Sequence, residues 1–110
     1  MARDQREIEE QLAAVSVELE KTADQLHSIK VVEGEVEATF GQNKALFREL
    51  RETWREGEMA GHLYSVEQEA IRLEQKAREA FDEEKELVKQ KSNELEQSET
   101  ELYVRRKGLR

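Results

Sequence analysis

Proline and cysteine do not occur in this 110-residue chain, and glycine occurs only five times. Without cysteine there is no disulfide framework, no thiolate nucleophile and no cysteine-based zinc site. Without proline, and with so little glycine, the chain lacks the punctuation that a many-turned globular domain needs. Aromatic residues are also scarce, at three Phe, two Tyr and one Trp, too few to fill a compact multi-layer core. Nowhere are there about 18 consecutive apolar residues, which excludes stable membrane insertion as a helix. The opening MARDQREIEEQL has no apolar signal-peptide core. These absences predict a protein made soluble in the cytoplasm; if it is exported, it travels with a partner by a route that needs no cleavable signal.

An excess of basic residues is missing too. The net charge of −8 argues against nucleic acid, whose phosphates need a basic face. Only residues 105–110 are locally basic. Cations there complement the dipole of a helix C-terminus; binding to an anionic surface is the lesser alternative. Glycine-rich phosphate loops, nucleophile elbows and Cys–His arrangements are absent. The two histidines, His27 and His62, each have an acid on the same helical face (Asp24 and Glu58), but a hairpin registry holds them too far apart to share a metal. Neither an enzyme nor a cofactor is expected. Carboxylates are scattered, with Glu74→Arg78 and Glu101→Arg105 spaced as i,i+4 pairs on solvated faces.

What is present is charge (40% of residues) and helical periodicity. Apolar positions fall at Ile8, Leu12, Val15, Leu19, Leu26 and Ile29, with Thr22 as a polar exception, in alternating steps of four and three. That is a heptad seam. It continues through Val32, Val36, Phe40, Asn43, Phe47, Leu50 and Trp54, with a local drift after Ile29. Asp4 with Glu7 makes an N-cap pattern. From Val32 to Phe40 apolar and polar residues alternate strictly, a strand signal. No second such run exists to pair with it, so helix is retained, with Gly34 and Gly41 each costing about 1 kcal/mol relative to alanine.

The break falls at Arg55-Glu56-Gly57-Glu58, where Gly57 suits the left-handed position that ends a helix. A capping box at Ser65–Gln68 leaves open a loop extending to residue 64. The second seam is Met59, Leu63, Val66, Ala70, Leu73, Ala77 and Phe81. Beyond it Val88, Leu95, Leu102 and Leu109 recur every seven residues, while Lys91, Ser98 and Arg105 occupy the matching places, which predicts a thin far end. Folding at the break pairs Leu50 with Leu63, Phe47 with Val66, Phe40 with Leu73, Val32 with Phe81 and Leu12 with Leu102.

The expectation is an all-α antiparallel two-helix hairpin. It forms a single domain over residues 1–110, with helices over about 4–54 and 59–106 and a turn within 55–61. A lone hairpin covers only one side of each helix, so a larger helical bundle with a partner is implied. A homodimeric four-helix bundle of structural role is the alternative, and one continuous rod is a further one. Trp54, the only tryptophan, reads either as a staple for the turn or as a binding anchor.

A Trp near a Gly at the bend of such a hairpin resembles the Trp-x-Gly (WXG) proteins of type VII secretion. The match departs from that motif, because Trp54-Arg55-Glu56-Gly57 has two residues between Trp and Gly. FGQNKALFRELRETWREGEM (Phe40 to Met59), with the ending ETELYVRRKGLR, is more similar to the LXG-associated α-helical (Lap) targeting proteins of type VIIb secretion in Gram-positive bacteria. The F…LFREL…TW core and the LY..R(R/K) ending carry this likeness.

That resemblance implies a non-catalytic adaptor or targeting chaperone. Its partners would be the helical N-terminal domain of an LXG toxin and a second small WXG-like protein. Relatives of this kind with an export signal carry an aromatic residue followed four residues later by an acid. Here Lys107 follows Tyr103 and Lys85 follows Phe81, so the likeness is to the class without its own signal. Candidate partner-binding residues are Phe40, Phe47, Leu50, Trp54, Leu63, Tyr64, Val88, Leu95, Leu102 and Tyr103.

Overall fold

In a computed structural model, which describes residues 2–109, the chain is an antiparallel helical hairpin with no strand among those residues. Helix α1 runs Ala2–Thr53 and helix α2 runs Glu58–Gly108. The alternating stretch Val32–Phe40 is helical throughout, since a strand there would have had no partner for its backbone groups. Asp4 and Glu58 lie in the first turns of their helices, and Arg105, Arg106 and Lys107 in the last turn of α2, each favourable to the helix dipole. Ser65–Gln68 lies inside α2, so its capping-box pattern is not used.

Gly57 makes the turn. Its φ is +91°, and no atom lies near where a Cβ would be. The backbone angle, not crowding, is therefore what requires glycine there.

The hairpin divides into two compact units, a terminal unit (residues 1–28 with 84–110) and a turn unit (Ile29–Glu83). In the terminal unit Ile8, Leu12 and Leu102 form a buried cluster with Val15 packed on it. The expected Leu12–Leu102 pairing thus holds at the level of that cluster, and the far end is well buried there although α2 supplies only one apolar residue per heptad. It carries three of the four buried apolar side chains among the described residues, the fourth being Leu63. Thr22 is the most buried residue there, at 2% exposed. Its hydroxyl donates to the Leu19 carbonyl at 2.8 Å, which satisfies the polar group locally and leaves its methyl for packing. A salt bridge of 3.8 Å joins Glu18 to Lys91.

On α2 of this unit the half-buried or buried positions are Lys85, Val88, Ser92, Leu95, Glu99, Leu102 and Arg106. The matching heptad places are thus Ser92, Glu99 and Arg106, not Lys91, Ser98 and Arg105. Every second seam position is polar, and the large apolar residues of α1 supply most of the core.

In the turn unit α1 presents Ile29, Glu33, Val36, Glu37, Phe40, Phe47 and Leu50 as half-buried residues, while Val32 is about half exposed and Asn43 is exposed. The four-three rhythm continues apart from the gap at Asn43, with Glu33 in the place expected for Val32.

Two predictions follow from the burial pattern and the turn. Leu102→Ala should lower unfolding free energy by about 2–4 kcal/mol in urea titration, whereas Val104→Ala, at an exposed site, should change it by less than about 0.5 kcal/mol. Gly57→Ala should cost about 1–2 kcal/mol in the same assay.

Candidate functional site

The turn unit has two unlike sides, and ion pairs identify one of them. Arg51 pairs with Glu67, Lys44 Nζ with Glu74 Oε1 at 3.4 Å, and Arg78 with Glu37 at 2.8 Å. Residues seven apart fall in one row along a helix packed at heptad rhythm. The row Glu37, Lys44, Arg51 of α1 therefore borders Glu67, Glu74 and Arg78 of α2 on this charged side.

Glu74 is 6% exposed, and its Oε1 lies against both Lys44 and Arg78 as ion-pair partners. The expected Glu74–Arg78 pair is formed, but it is not on a solvated face. Glu74 occupies a seam position, because α2 is turned so that Ala60, Glu67 and Glu74 point toward α1 beside Leu63, Ala70 and Ala77. Between the helices a cavity of about 340 Å³ is bordered by Phe40, Phe47, Ala70, Leu73 and Glu74 among others. Ala70, beside two phenylalanines, leaves space that a larger side chain would have filled.

Opposite the ion pairs, the bordering rows are Val32, Thr39 and Leu46 of α1, and Met59, Val66 and Leu73 of α2. Val66 is 57% exposed and Leu73 54%, with Val32, Leu46 and Met59 close to half. Val66 and Leu73 therefore lie largely outside the seam expected for them, although Leu73 still borders the cavity beside Phe40 and Phe47. Five large aliphatic side chains on one side of a short unit make an apolar patch of the kind that marks an interaction surface.

The candidate partner-binding residues are distributed unevenly. Phe40, Phe47 and Leu50 are half-buried in the turn unit and Leu63 is buried; Val88 and Leu95 are half-buried in the terminal unit and Leu102 is buried. The hairpin itself occupies these seven. Trp54 is 40% exposed and borders a cavity of about 320 Å³ with Ala60, Leu63 and Tyr64. Its backbone N–H donates to the Leu50 carbonyl at 2.9 Å, which extends the last turn of α1. Tyr64 is exposed on the charged side, in the row of Ile71 and Arg78. Tyr103 is exposed in the terminal unit with the Arg106 guanidinium 4.8 Å from its ring centroid.

Sequence reasoning assigned Val32, Met59, Val66 and Leu73 to the hairpin seam and passed over Leu46. The seven-residue spacing of Val32 and Leu46, and of Met59, Val66 and Leu73, was the available signal.

Among the described residues no group of three potential metal ligands gathers, and no helix is long and apolar enough to cross a membrane. His62 lies 3.9 Å from Glu58 at the start of α2.

Fold and seam define a helical hairpin of coiled-coil character with an uncovered apolar side. The chain belongs to the family described as "Protein of unknown function (DUF3958)", which matches it over residues 3–109. No curated protein and no solved structure matches it.

The Arg78 hydrogen bond holds the Glu37 carboxyl below its usual range, and the same pair raises Arg78. A depressed carboxylate contributes stability that is present above the ordinary carboxylate range and lost as pH falls through the lower, folded-state value. Thermal melts should therefore show a small drop in Tm below about pH 4, and Glu37→Gln should remove that component. Glu74→Met should leave stability unchanged or raise it by about 1 kcal/mol, because it removes the one buried charge while Lys44 and Arg78, both well exposed, stay solvated; a urea midpoint measures this.

Proposed function

We propose that this protein is a non-catalytic adaptor or targeting chaperone that binds the helical N-terminal domain of an LXG toxin for type VIIb secretion. One observation carries the reading. The hairpin leaves Met59, Val66, Leu73, Val32 and Leu46 about half exposed on one side, while its own core holds only a few fully buried apolar residues. Two helices cover one side of each other; a bundle of three or four covers the rest. A partner that is itself helical supplies those missing neighbours. Likeness of the Phe40–Met59 run and of the LYVRRK ending to Lap targeting proteins names the toxin class. The absence of an acid four residues after Tyr103 or Phe81 fits the companion that has no export signal of its own. On this reading the protein acts in the cytoplasm and leaves, if at all, with its toxin.

The second reading, a homodimeric structural coiled coil, rests on the same apolar side. Mixing the purified chain with the toxin's N-terminal domain and sizing the mixture separates the two. The adaptor gives a mixed complex and a Tm that rises with toxin concentration. A homodimer whose size and Tm ignore the toxin would overturn the adaptor reading.

A further inference from the structure

Helix α2 of the turn unit carries an uninterrupted second seam. Met59, Leu63, Val66, Ala70, Leu73, Ala77 and Ala80 follow steps of four and three, the pattern of a helix lying along a neighbour at a small crossing angle. Only the row Leu63, Ala70, Ala77 is turned toward α1; Met59, Val66 and Leu73 are half exposed or more. The axis of this seam thus points between α1 and open space, as it does in a bundle helix with two neighbours.

The border of that space is electrically uneven. Beyond Val32, Thr39 and Leu46, the next row of α1 is Glu35, Gln42 and Glu49, all exposed. Among the described residues neither carboxylate is held in an ion pair. The cations of α1 in this unit (Lys30, Lys44, Arg48 and Arg51) fall on the opposite flank, where Lys44 and Arg51 are tied to Glu74 and Glu67. On α2 the outer row is His62, Glu69 and Lys76, mixed in sign, with Glu69 bonded to Arg72 at 2.8 Å.

We infer that the apolar side of the turn unit, bounded by Val32 and Leu46 on α1 and by Met59, Val66 and Leu73 on α2, is the docking groove for one partner helix. That helix has large aliphatic residues at heptad spacing and a lysine- or arginine-rich flank. Heptad periodicity selects a helix. The acidic rim of Glu35 and Glu49 sets the sign of its flank. The aliphatic contacts supply the affinity, and the rim charges supply orientation and association rate. This inference rests on the adaptor reading for the identity of the helix, which belongs to the toxin domain. The groove itself does not depend on that identity.

Because the chain has no cysteine, single introduced cysteines report the groove directly. Leu73→Cys and Ile71→Cys place a thiol on the apolar and the charged side, and the readout is the rate of maleimide labelling. Two probes are used. One is the toxin's N-terminal domain; the other is a four-heptad leucine peptide with either a lysine or a glutamate flank. Either the toxin domain or the lysine-flanked peptide should slow labelling at Leu73→Cys about tenfold or more and leave Ile71→Cys within about twofold. The glutamate-flanked peptide should protect less, and Glu35→Lys with Glu49→Lys should reverse that preference.

Val66→Glu with Leu73→Glu should abolish binding and leave the helical circular dichroism unchanged, since both sites are exposed. Protection by the peptide but not by the toxin domain would remove the adaptor reading and keep the groove. Protection of Ile71→Cys in place of Leu73→Cys, unaltered binding by the double glutamate variant, or protection of Leu73→Cys that grows with the chain's own concentration and with no probe would overturn the groove.

Discussion

Helix α2 of the turn unit carries a two-row apolar seam, Met59 to Ala80, of which α1 covers only the row Leu63, Ala70 and Ala77. A single neighbour could cover both rows. Turning α2 to bury Met59, Val66 and Leu73 beside that row would carry Glu67 and Glu74 out of the seam, away from the cations of α1 that pair with them. The observed orientation places Ala60, Glu67 and Glu74 at the seam and compensates the two acids with Arg51, Lys44 and Arg78.

The two units consequently differ in what holds them. Packing of Ile8, Leu12 and Leu102 dominates in the terminal unit, with the one buried hydroxyl satisfied within its own helix. In the turn unit a cavity lies beside Phe40 and Phe47, and ion pairs join the helices along one side. Ion pairs of this kind contribute little net stability, since desolvation offsets attraction, but they oppose rotation and sliding of one helix on the other. The charged side is thereby set, and its opposite is left apolar. A unit with loose packing and an uncovered side is also the part of the molecule best able to adjust to a newcomer.

Much of this was legible in residue order. Four-three spacing from Ile8 to Ile29 and from Met59 to Phe81 announced two helices, and Gly57 marked the one place among the described residues where the backbone takes a left-handed angle. Leu12 and Leu102 were paired by a simple fold-back of the chain. The facing row of α2 was not legible. Rows Met59–Val66–Leu73 and Ala60–Glu67–Glu74 flank the same Leu63–Ala70–Ala77 row, and hydrophobicity alone favours the wrong one. For the same reason hydrophobicity favours Val32 over Glu33, although Glu33 is the half-buried one.

Sequence by itself determined that the chain forms two long helices with a break at Gly57, since periodicity and backbone conformation are local properties of the residues that carry them. Only the tertiary structure decided which flanks of those helices meet. That choice depends on pairing acids and bases that lie far apart along the chain, such as Glu37 with Arg78 and Lys44 with Glu74. With those pairs on one side, the aliphatic rows could only be left on the other.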